Sequence, residues 1–118
     1  MSGPQAANEE CEGDFLFYKG HPVWQILDRF QRFSQGTPTA DKSLEGIQQG
    51  ILKWIEFFGA TEKMISDQEG ALRSNEGGLW LGRRGIERCL VAKEKHLRLT
   101  DAHGRIVKDI MRRLDAAA

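Results

Sequence analysis

The sequence is sparing in cysteine, proline and tyrosine, and its formal charge sums to zero. Its two cysteines, Cys11 and Cys89, lie far apart and belong to no CxxC or CxxxxH pattern. Two such thiols do not form a disulfide framework, and a reducing compartment is the simplest setting for them. No stretch approaches the roughly 20 apolar residues that cross a bilayer, so no membrane partner is expected. The opening residues MSGPQAANEECEGD lack the basic start and apolar run of a secretory signal. A cytoplasmic location is the expectation, with the nucleus as the alternative.

Signatures of chemistry are equally scarce. There is no HExxH, no GxxxxGK[ST], and no ExxH of the kind that builds di-iron bundles. Cys89, His96 and His103 recur every seven residues, which on a helix puts neighbours about 10.5 Å apart. Zinc–ligand bonds are only about 2.0–2.3 Å, so this row does not form a zinc site. The glycine-rich run Gly77–Gly85 reads as a turn rather than a phosphate cradle. His96, set among basic neighbours, resembles a phosphoacceptor only faintly. The reading is therefore no enzyme, no catalytic residue, no cofactor and no metal.

What is present is an ordinary globular balance: 118 residues, 40% hydrophobic and 29% charged. Residues 1–13 read as a flexible acidic tail and residues 14–118 as one helical domain. Charge is divided unevenly. Residues 1–77 hold 7 Lys/Arg against 12 Asp/Glu, and residues 78–118 hold 10 against 5. Two oppositely charged halves attract each other within a chain or between copies.

Helical periodicity dominates the rest. Val23, Ile26, Leu27, Phe30 and Phe33 predict a first helix over about residues 22–34, opened by Pro22. Leu44, Ile47, Ile51, Trp54, Ile55, Phe58, Ile65 and Leu72 share one stripe, which predicts a second helix running from about 38–43 to about 72, either continuous or broken near Gly59. A loop follows at 73–78. A third helix is predicted over about 83–99, and a fourth stripe from Ile106 to Leu114 implies a break at 100–104. The Asp14–Tyr18 run is a brief strand or a docked extended segment. The predicted fold is an all-α bundle of three or four helices.

Two surfaces stand out on that bundle. Gly46 and Gly50 form a GxxxG whose side is extended by Phe57 and Met64, a row on which another helix can approach closely. It predicts self-association, with internal packing as the equal alternative. Arg84, Arg88, Lys95 and Arg98 share one face of the third helix, a stripe suited to phosphates or to an acidic protein. The leading reading is a helical protein–protein interaction module (an adaptor, a chaperone-like subunit or a regulatory subunit) that forms homo-oligomers. The runner-up is nucleic-acid binding through phosphate contacts of the basic third helix.

Overall fold

A computed structural model describes residues 4–67 and 70–91. The order is β1 (Glu10–Tyr18), β2 (His21–Asp28), β3 (Ser34–Pro38), α1 (Leu44–Phe58), β4 (Lys63–Asp67), a single 3₁₀ turn (Ala71–Arg73), α2 (Asn75–Arg83) and β5 (Glu87–Val91). The five strands form one sheet in the order β3-β2-β1-β4-β5. β1, β2 and β3 pair antiparallel; β4 runs parallel to both β1 and β5. The all-α expectation is therefore overturned, and the reading as a helical interaction module falls with it.

The predicted first helix is in fact β2, a turn and β3. Two causes misled the periodicity. Pro22–Asp28 is buried at every position, and a central strand covered on both faces shows no two-residue alternation. The entry to β2 is a two-residue hairpin, Lys19–Gly20, with φ values of 51° and 79°, and Tyr18 pairs with His21 across it. Positive φ at both central residues is the type I′ geometry that matches strand twist.

The second helix is real but ends at Phe58. Ser43 caps its start, accepting from the Gly46 N–H at 3.4 Å. Gly59 ends it with φ of 83°, a conformation that glycine adopts without a Cβ penalty. Beyond it, Lys63–Asp67 is β4, so Ile65 fell on the helical stripe by coincidence. The predicted third helix also divides. Its first residue closes α2, whose start at Ser74 occupies the expected loop, and Glu87–Val91 is β5. The fourth stripe lies outside the described residues.

α1 lies against one sheet face, and the core fills the space between. Cys11, Trp24, Ile26, Ile47, Ile51, Trp54, Met64, Leu72, Leu81 and Ile86 form one buried cluster. Trp24 is held between two glycines. A Cβ on Gly50 would sit 2.4 Å from its Cδ1, and one on Gly13 would sit 2.4 Å from its Cζ2.

β1 takes in Glu10–Gly13 of the segment read as a tail, and Asn8 just before it anchors three elements. Its Oδ1 accepts from Trp54 Nε1 at 2.8 Å. Its Nδ2 donates to the Phe58 and Gly59 carbonyls that α1 leaves unpaired. Its own carbonyl accepts from Thr61 Oγ1 at 3.0 Å and from the Glu62 N–H at 3.1 Å.

Candidate functional site: a carboxylate notch at the end of β4

The sheet has an open notch beside β1. On its β2 side β1 is paired along its length to Tyr18. On the other side pairing with β4 ends at Glu12↔Ile65, while β4 itself continues to Asp67 beside β5. The same parallel register carried two residues further sets Asp14 beside Asp67. In open sheets the crevice beyond the carboxyl ends of parallel strands, where connections diverge to either side, is where ligands bind. β1 and β4 meet that description, since the chain leaves β1 toward β2 and leaves β4 toward β5.

A cavity of about 250 Å³ occupies the notch, and Asp14 and Asp67 both line it. Lys42, from the loop before α1, brings one cation to the rim, its Nζ 5.6 Å from the Phe17 ring centre. Apolar walls come from Phe15, Trp24 and Ile47. Phe15 and Trp24 meet edge-on at 5.1 Å. The Trp24 indole N–H is buried without a hydrogen-bond partner. Asp14 Oδ1 accepts from the Phe15 N–H at 2.8 Å, and the Asp67 backbone carbonyl accepts from the Gly70 N–H at 3.0 Å. The site thus offers two hard oxygen donors and one ammonium around a partly apolar hollow. Among the described residues no group of three or more His, Cys, Asp or Glu could hold a metal ion.

None of the residues singled out from the sequence lies here. Gly46 and Gly50 are on the buried side of α1, admitting Thr39 and Trp24 of the same chain. Met64 is in the core, and Phe57 is exposed. The basic helix face does not exist as such. Arg84 ends α2 and stacks on Trp80 at 3.8 Å. Arg88 sits in β5 and donates to the Leu72 and Ser74 carbonyls, each at 2.8 Å. Lys95 and Arg98 lie outside the described residues, as do His96 and His103. Nucleic-acid binding by a basic third helix is overturned on that ground. Asp14 carried one weak local signal, since it opens the short apolar run Phe15–Tyr18; Asp67 follows Met64–Ile65 only after Ser66.

Comparison with solved structures agrees with the topology. Superposition on the simian T-cell lymphotropic virus intasome, solved in complex with PP2A regulatory subunit B56 gamma, gives a TM-score of 0.85 at 17% identity over 93% of this chain. The fold resembles that of an integrase catalytic core. Two structures of the HTLV-2 integrase catalytic core domain with magnesium, a trimeric and a dimeric form, give TM-scores of 0.81 and 0.77, each at 16% identity. They cover 93% and 91% of this chain. The chain spans 42% of the intasome chain and 73% and 71% of the two core-domain chains. At this identity the likeness is one of fold. No protein-family model and no curated protein matches the sequence. Among the described residues, no helix is long and apolar enough to cross a membrane.

Proposed function

We propose that this chain is an integrase-like domain that binds a divalent cation at the notch and acts on the phosphodiester backbone of a nucleic acid. The observation that carries the reading is the convergence of Asp14 and Asp67 on one cavity at the divergence of β1 and β4. The donor set suits magnesium. That ion prefers oxygen ligands, keeps several waters, and is bound through one or two carboxylates together with substrate phosphates. Neighbouring strands lie about 4.8 Å apart, so two aspartates one step apart across a ladder can share one ion. Asp14 and Asp67 would hold it. Such an ion supplies Lewis-acid polarisation of a phosphoryl oxygen and lowers the pKa of a bound water. Lys42 at the rim would meet a phosphate as a point charge, and the apolar wall of Phe15, Trp24 and Ile47 limits water around it. The integrase likeness supports the nucleic-acid side of this reading, and the magnesium in the neighbours' core domains supports the cation. Self-association belongs to the same reading, as the neighbours' dimeric and trimeric forms illustrate.

The test is manganese and magnesium titration by calorimetry, with oligonucleotide nicking assayed alongside. Asp14→Asn and Asp67→Asn should each weaken cation binding at least tenfold and abolish any nicking, with the circular dichroism spectrum unchanged. Cation binding that survives the double substitution at full strength would refute the proposal.

A further inference from the structure

β2 buries an amide that its surroundings leave unsatisfied. Gln25 is 2% exposed, and among the described residues neither its Nε2 nor its Oε1 has a hydrogen-bond partner. Burying an amide in that state costs folding free energy, so the group calls for a second role. The residues two places along β2, Val23 and Leu27, are aliphatic and also buried. Across the sheet Gln25 stands opposite Gly36 of β3 on one side and Asp14 of β1 on the other. Of these four neighbours, Asp14 alone has a polar side chain.

We infer that Gln25 is a positioning residue for Asp14, donating an Nε2–H to its carboxylate when a divalent cation occupies the notch. Directly opposite residues of an antiparallel pair share a face, with Cβ atoms about 4.5–5.5 Å apart. A glutamine amide spans that gap to an aspartate oxygen by turning its side-chain torsions, with no backbone movement. Asp14 Oδ1 already accepts from the Phe15 N–H at 2.8 Å. A carboxylate has about four lone-pair sites, which leaves room for both the ion and the amide. Carboxylates that ligate a metal are in turn hydrogen-bonded, and that second bond fixes which way their oxygens point.

An amide suits this task better than a charged donor. A lysine or arginine opposite Asp14 would repel the divalent ion. The amide N–H is neutral and orients the carboxylate without that repulsion. Its burial keeps water from competing for the contact, which strengthens the bond. Stability and binding are therefore set against each other at this position. The amide weakens the fold of the free chain and strengthens the chain's hold on the ion.

This inference rests on the cation-binding part of the proposed function and adds a residue to it. The experiment is magnesium and manganese titration of the full chain by calorimetry, paired with urea unfolding in the absence of either ion. Gln25→Met removes the amide at nearly constant length. It should weaken binding of both ions about tenfold, as loss of an outer-shell partner does, and should raise the urea midpoint. Gln35→Met is the control. Gln35 Oε1 is also buried without a partner among the described residues, but Gln35 pairs with Ile26 and does not border Asp14. This variant should bind both ions as wild type does. Full-strength binding by Gln25→Met overturns the positioning role and leaves the notch reading standing. Equal weakening in both variants marks a general loosening of the sheet and overturns the role too. A lowered urea midpoint for Gln25→Met shows the amide already satisfied in the fold and overturns it as well. A wild type that binds neither ion overturns the notch reading and this inference together.

Discussion

Gly50→Ala tests whether the glycine side of α1 is closed by the chain itself. In an exposed helix interior the change would stabilise by about 0.8–1.0 kcal/mol, the difference in helix propensity. Here the new methyl would lie 2.4 Å from Trp24 Cδ1, well inside contact distance. The indole cannot slide away, because its other edge already abuts Gly13 and Phe15 meets it edge-on. Overpacking of this kind costs about 1–3 kcal/mol, and an approach of 2.4 Å points to the upper part of that range, above the propensity gain. A net loss of up to about 2 kcal/mol is expected. Gly82→Ala in α2 is the control, since a Cβ there meets nothing within 4 Å, and it should gain up to about 1 kcal/mol. Urea unfolding followed by tryptophan fluorescence should move the two midpoints in opposite directions. A Gly50→Ala variant as stable as Gly82→Ala would refute the packing argument, and weakened self-association in a folded Gly50→Ala would return that side of α1 to the interface.

Other outcomes follow from single contacts. Asn8→Ala removes the acceptor of the buried Trp54 indole N–H and two bonds at the end of α1, and should cost about 2–3 kcal/mol in the same assay. Burial pushes the Cys11 thiol from its ordinary 9.0 up to about 12, the Thr61 hydrogen bond opposing and Asp28 adding to the rise. Because the folded-state value is raised, this contribution to stability is whole below about pH 9 and is lost as pH climbs toward about 12. In a Cys89→Ser background, Cys11 should react with a thiol reagent at pH 8 only as fast as the chain opens, and rapid labelling of the folded protein would contradict its burial.

The sequence by itself determined the part of the fold that local physics controls. Ile47, Ile51 and Trp54 recur at helical spacing, Ser43 can cap and Gly59 can stop, so α1 was legible with both its start and its end left open. The sheet was not. β2 is buried on both faces, so its residues carry no alternation, and its valine, isoleucine and leucine happened to fall at helical spacing with Phe30 and Phe33. The Lys19–Gly20 turn was the available local clue to the hairpin. The small-residue side of α1 was visible in the sequence, but only the tertiary structure decided that Trp24 and Thr39 fill it. The same holds for the acids. Asp14 and Asp67 come from distant segments with no shared motif, and they meet because β1 and β4 pair in parallel at one particular register. Parallel pairing requires a crossover, here the one through α1, and that register is a property of the packed sheet that no window of sequence contains.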